Sequence, residues 1–217
     1  MNQASHLESM PSPVRLSTGD MLFESGHGGP VWQLQSGALR LDLIDREGQR
    51  FAQLVLPGDL VGAEQLAASG YAHTARAIVP SVAVQRAAGG DAERRLLLAE
   101  ALLCQLSRTG DLMALRTGTA QERLRHLLLL LSGAEPGWDE AEASQRVLPT
   151  IKDVAAIIDT APETVSRIFA NLKRSHLLDA RQRQGARFSA ARLREQVWPA
   201  GMTRSDGALR PLQLAEA

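Results

Sequence analysis

Residues 150–176 constrain the chain more than any other stretch, because they read as two short helices joined by a tight turn. Thr150 is a good N-cap, and Asp153 stands three residues on, where a carboxylate can reach back to open amides. Val154, Ala155, Ile157 and Ile158 supply a buried stripe that ends near Asp159. Pro162 suits the first turn of the second helix, which has no use for its missing amide hydrogen, and Val165, Ile168, Phe169 and Leu172 form the inward face. Glu163, Thr164, Ser166, Arg167 and Lys173 are left outside. One reading of Glu163 and Arg167 is an i,i+4 ion pair on a solvated helix. The other is a reading head in a DNA major groove, where a guanidinium bonds guanine O6 and N7, a carboxylate accepts from cytosine N4, and hydroxyls such as Thr164 and Ser166 reach base edges or phosphate. Lys152, Lys173, Arg174 and His176 then suit phosphate contacts, which give affinity without sequence preference. Residues 177–181 and 186–189 flank a hairpin turn, on which Arg181, Arg183 and Arg187 either rest on the DNA backbone as a wing or form a solvated basic hairpin.

A formal net charge of zero speaks against a nucleic-acid partner only if charge is spread evenly. It is not: residues 150–198 hold nine Lys and Arg against five Asp and Glu, so this part is basic and the acidic excess lies elsewhere. The chain, 217 residues and 44% hydrophobic, is long enough for two modest domains. No apolar run approaches a membrane span, and residues 1–13 lack the basic and apolar regions of a signal peptide, so a cytoplasmic protein with no membrane partner is expected. The lone Cys104 cannot form an internal disulfide or by itself hold a cluster or structural zinc.

Up to about residue 87, Gly and Pro punctuate short apolar runs, and Leu39-Arg40-Leu41-Asp42-Leu43 alternates with period two, as a strand with one wet face does. Further strands are predicted over 21–23, 31–35, 51–56, 74–79 and 82–85. Many short strands at regular spacing predict an antiparallel β jelly-roll barrel over 14–90. From 91 to 116 the pattern becomes helical. Ala92, Leu96, Ala99, Leu103, Leu106, Gly110 and Met113 trace the seam of a coiled coil, which serves either a partner helix in a homodimer, the favoured reading, or the protein's own barrel. Gly110 and Thr109 weaken the helix locally. A helix over 119–131 follows, then a polar loop over 133–144. The expected division is a barrel at 14–90, a dimerisation helix at 91–117 and a DNA-binding domain at 118–198, with 1–13 and 199–217 loose. The fold class is α+β.

With these pieces in place, the chain resembles the CRP/FNR family of bacterial transcription regulators over residues 16–198. The resemblance rests on Leu16-x-x-Gly19-Asp20-x-Leu22-Phe23-x-x-Gly26, on Trp32-x-Leu34-x-x-Gly37-x-Leu39-x-Leu41, on Leu56-Pro57-Gly58-Asp59-Leu60-Val61-Gly62, and on residues 151–178, which are similar to the family's winged helix–turn–helix. It implies a cyclic-nucleotide-binding-like barrel, a homodimer, double-stranded DNA and RNA polymerase as partners, and no enzymatic activity. Glu163-x-x-Ser166-Arg167 resembles the reading head of the FNR-type branch, which implies a palindrome with TTGA-like half-sites. The signal side departs from the family. Where cyclic-nucleotide binders carry an Arg-Ser pair, Ala63 follows Gly62 here, and residues 71–75 offer no Arg to clamp a phosphate, which argues against cyclic AMP. One cysteine is too few for the iron–sulfur cluster of the oxygen sensors. Gly62, Glu64, Tyr71, Thr74 and Thr109 remain as the candidate pocket for an unidentified effector, with Glu64 and Arg76 as a shifted variant of it. Haem held by His27, His73, His126 or Cys104 is a further reading. So is a metal-dependent enzyme on a jelly roll, which needs two or three converging His and a carboxylate and finds no closely spaced His pair.

Overall fold

The computed structural model describes residues 12–46, 48–67, 70–133, 145–182, 185–188 and 193. Its N-terminal part holds eight strands: β1 (Val14–Leu16), β2 (Met21–Phe23), β3 (Val31–Ser36), β4 (Leu39–Asp45), β5 (Gly48–Val55), β6 (Leu60–Val61), β7 (Thr74–Ala77) and β8 (Ser81–Arg86), with a 3₁₀ turn at Ala63–Leu66. They form two antiparallel four-stranded sheets, ordered β1-β8-β3-β6 and β2-β7-β4-β5. Leu16, Phe23, Trp32, Leu34, Leu39, Leu41, Val55, Val61, Ala75, Ala77 and Ala83 fill one core between them.

The expected closed jelly-roll barrel is thereby corrected: both sheets are open, and among the described residues no ladder joins the end of one to the end of the other. Short strands at regular spacing tell how many ladders a chain can make, but not whether the outermost two meet. Here β6 is two residues long and the register breaks within β2, β3 and β4, so the edges run out of pairing length. The edge strands β5 and β6 are instead covered by α1 (Asp91–Arg116).

The wet face expected of β4 is also corrected. Arg40 is 6% exposed and Asp42 is fully buried, while Leu43 is open to solvent. Arg40, held by Asp42, reaches Asp153 of the C-terminal helices, described below.

Helix α1 runs unbroken through Gly110, with the Thr109 hydroxyl donating to the Gln105 carbonyl at 3.0 Å. Its inner side reaches the sandwich through Leu97, which packs with Val31 and Leu60, and through Leu115. Leu96, Ala99, Leu103, Leu106 and Met113 face outward, with Leu96, Leu106 and Met113 each about 60% exposed.

After α1 come α2 (Ala120–Ser132), β9 (Gln145–Val147), α3 (Ile151–Ile157), α4 (Pro162–Arg174), β10 (Leu178–Gln182) and β11 (Gly185–Phe188). Thr119 and Glu122 form a reciprocal capping box that starts α2. Strands β10, β11 and β9 make a small antiparallel sheet in that order. The hairpin is where the sequence predicts it, whereas β9 has no counterpart in the sequence reading. The expected loop over 133–144, except Gly133, and the expected loose ends at 1–13 and 199–217, except Ser12 and Pro13, lie outside the described residues. A second core joins Leu54, Leu56, Ile78 and Val79 of the sandwich to Leu115, Leu124, Leu127, Leu128, Val154, Ile157, Ile158, Val165, Ile168 and Leu172, so the helices share a core with the outer face of one sheet.

Candidate nucleic-acid interface

Thr150 caps α3 as its sequence suggests, its hydroxyl accepting from the Asp153 amide at 3.1 Å. The helix stops after two turns, and Asp159 takes a left-handed backbone with φ 50°. That turn is tied down: the Asp159 carbonyl accepts from Arg123 at 3.2 Å, and its carboxylate lies 3.7 Å from Arg116 at the end of α1. Pro162 then opens α4 at its first turn. The helix ends with His176 at φ 55°, where the Leu177 and His176 amides donate back to the carbonyls of Leu172 and Lys173.

Helix α4 divides cleanly. Val165, Ile168 and Leu172 are buried against α2 and α3, while Glu163, Ser166 and Arg167 are exposed and Thr164 is half-buried at their margin. Glu163, Ser166 and Arg167 line a shallow open groove with Ile151, Pro162 and Ala170. Among the described residues neither Glu163 nor Arg167 takes part in an ion pair, so both head groups are available to an incoming partner. Lys152, Lys173 and Arg174 flank this surface and are exposed, Arg174 hydrogen-bonding Asn171. His176 is exposed beyond them. Arg181 and Arg187 fall in β10 and β11, where the side chains lie outside what is described, and Arg183 lies outside the described residues altogether.

On the buried side of the motif the sequence reading missed the principal contact. Asp153, 4% exposed, gives one carboxylate oxygen to the Thr150 hydroxyl at 2.8 Å and the other to two arginines of the sandwich, Arg40 at 3.2 Å and Arg76. Arg40 is also held by Asp42, whose second oxygen accepts from Gln49 at 2.7 Å. Burial pushes the Asp153 carboxyl up, but hydrogen bonds from Arg76 and Thr150 and the charges of Arg76 and Arg40 outweigh it and hold the group below the usual carboxylate range. A locally read sequence shows Asp153 only as a cap partner, because Arg40 lies 113 residues away.

The residues nominated for an effector pocket are engaged with their own chain. The Tyr71 ring stacks on Phe23 with centroids 3.8 Å apart, and its hydroxyl donates to the Pro30 carbonyl at 2.7 Å. Gly62 adopts φ 75°, and a Cβ there would lie 2.6 Å from the Tyr71 ring. Glu64 accepts from the Ala72 amide at 3.0 Å and the Thr74 hydroxyl from the Ser25 amide at 3.1 Å. Thr109 is exposed on α1, and Arg76, the cation of the shifted variant, is spent on Asp153. These residues do not fit a cyclic nucleotide: Tyr71 is buried among them, and Arg76, the one cation they include, is paired with Asp153 and so does not clamp a phosphate. Among the described residues no group of three or more His, Cys, Asp or Glu is placed to hold a metal ion. His27 is largely exposed beside Glu24, and His126 stands 3.5 Å from Asp111.

Another buried ionic cluster fastens α1. Arg108 donates to both oxygens of Asp59 at 2.8 and 3.0 Å and to Asp111 at 2.9 Å. No described helix is long and apolar enough to cross a membrane.

The family profile of the Crp-like helix-turn-helix domain matches residues 122–194. No curated protein matches the chain. Among solved structures, a CRP-family transcriptional regulator from Thermus thermophilus superposes with a TM-score of 0.67 at 24% identity, covering 83% of this chain and 94% of that one. A CRP/FNR-family regulator from the same organism gives 0.58 at 23%, covering 85% and 97%. FixK2 of Bradyrhizobium japonicum gives 0.62 at 23%, covering 88% and 99%. Residues 122–194 thus match the profile of a Crp-like helix-turn-helix domain, and the chain shares its fold with these solved regulators.

Proposed function

We propose that the protein is a homodimeric, sequence-specific DNA-binding regulator of transcription. The observation that carries this reading is the division of α4: an apolar side locked into the core, and an exposed side on which Glu163, Ser166 and Arg167 stand free beside Lys152, Lys173 and Arg174. The matched helix-turn-helix profile supports it. In the bound complex Arg167 reads guanine, Glu163 reads the cytosine amino group, and Thr164 and Ser166 assist, within half-sites of the TTGA type. Lys152, Lys173, Arg174 and Arg187 contact phosphates. Two copies join along Leu96, Ala99, Leu103, Leu106 and Met113, because an exposed apolar stripe on a 26-residue helix is costly to leave in water. Pairing sets two recognition helices in successive major grooves, and the DNA-bound dimer acts on RNA polymerase.

Tyr71, buried among the residues nominated for an effector and held by Phe23 and the Pro30 carbonyl, supports DNA binding by the chain alone. Selection from random duplexes with purified protein, without additives, tests both points. It should return a palindrome with a G·C pair at the position of Arg167. A motif without that pair, or no enrichment, rejects the assignment.

A further inference from the structure

Asp153 belongs to the helix-turn-helix, yet two of its three side-chain partners belong to the sandwich. Arg40 and Asp42 stand on β4, Arg76 on β7 and Asp153 on α3, and together the four side chains are neutral. Arg40 and Asp42 are buried and Arg76 nearly so, with a quarter of its side chain exposed. Apolar contacts, which dominate the rest of this junction, are non-directional and allow a helix to slide or roll. Hydrogen bonds from two guanidiniums to one carboxylate oxygen are directional, and separating them leaves charges stripped of water or of partners. Because α3 and α4 share the Val154, Ile157, Ile158, Val165, Ile168 and Leu172 core, whatever fixes α3 fixes α4 as well. The Asp159 turn adds a tie from the motif to Arg116 of α1, whose guanidinium lies over the Phe51 ring.

Resting on the DNA-binding reading, the geometry points to Asp153 as a positioning residue: anchored by Arg40 and Arg76, it sets the angle at which the sandwich and the long helix present the recognition helix. It touches no DNA itself, being on the buried side of the motif. The arrangement leaves the reading surface of α4 open, so the anchor orients the head without masking it. In a dimer, a fixed angle on each copy becomes a fixed separation of two heads, and hence a preferred spacing between half-sites.

Two variants of the full chain test this, Asp153→Asn, which keeps the Thr150 cap, and Arg76→Gln, which leaves α3 untouched and guards against a folding defect in the first. Affinity is measured for palindromes whose spacer is changed base pair by base pair and for a single half-site. The wild type should favour one spacer by about tenfold or more, as expected when two linked sites must be engaged together. Both variants should flatten that preference and keep single half-site affinity within about twofold. A uniform loss over all spacers with the preference intact assigns Asp153 a merely stabilising role and overturns the inference. Spin labels at Ser17 and Lys173 in a Cys104→Ser background give a readout without DNA: the distance distribution should be narrow in the wild type and broad in both variants, and equal widths overturn the inference. Absence of wild-type DNA binding rejects the underlying reading, while the label widths decide the anchoring on their own.

Discussion

Arg167 and Lys173 stand six residues apart on the exposed side of α4, and in the proposed complex a guanidinium that reads a base and an ammonium that meets a phosphate fail differently when removed. Arg167→Ala should cost about 1–3 kcal/mol at the cognate site and relax base choice at one position, read by competition against single-base variants. Lys173→Ala should weaken all duplexes alike and lower the slope of affinity against salt by about one. Asp153 titrates with a definite sign. Its carboxyl is held below the usual value in the folded chain, so its contribution is present above the unfolded pKa of about 3.9 and is lost as pH falls through the folded value. The difference in urea midpoint between wild type and Asp153→Asn should therefore be constant near neutrality and shrink below about pH 4. Thr150, Pro162 and the apolar stripe of α4 were readable in sequence because each acts within one or two turns. The Arg40, Arg76 and Asp153 contact was not, since its signal is split between segments 77 and 113 residues apart.

Helix α1 was legible to both ends, because 26 residues of seam pattern outweigh one glycine, whose cost is about 1 kcal/mol. Strands β1, β6 and β9 were not, for two or three residues carry no period. On β4 the alternation was read correctly and its faces wrongly: period two says that alternate residues differ in environment, and only a partner elsewhere in the chain says which side is wet. Leu106 lies on the outward stripe of α1, away from the sandwich, so in the proposed homodimer Leu106→Glu should leave the circular dichroism of the chain unchanged while reducing the sedimentation mass to that of one copy. Affinity for the palindrome should fall by about two orders of magnitude once the two heads are no longer linked. The packing around Tyr71 makes a different demand on its elements. Gly62→Ala places a Cβ 2.6 Å from the ring at φ 75°, and should lower stability by about 1–3 kcal/mol in a thermal melt.

Taken together, the elements form two open sheets clasped by helices, and this is where sequence reading was least informative. The longer strands are legible, but closure is a property of which edges meet, and no local pattern encodes it. A net charge of zero likewise hides a molecule whose opposite charges are used in two ways. Some are paired inside the fold, in the neutral group around Asp153 and in the Arg108 bridge to Asp59 and Asp111, and others stand in water beside α4. Counterions reach the second kind easily and the first hardly at all. Rising ionic strength should thus strip the protein from DNA steeply while its thermal melting point and its internal architecture barely move. For the proposed complex, concentrated brine becomes a clean eluent, one that releases the nucleic acid and returns the folded chain intact.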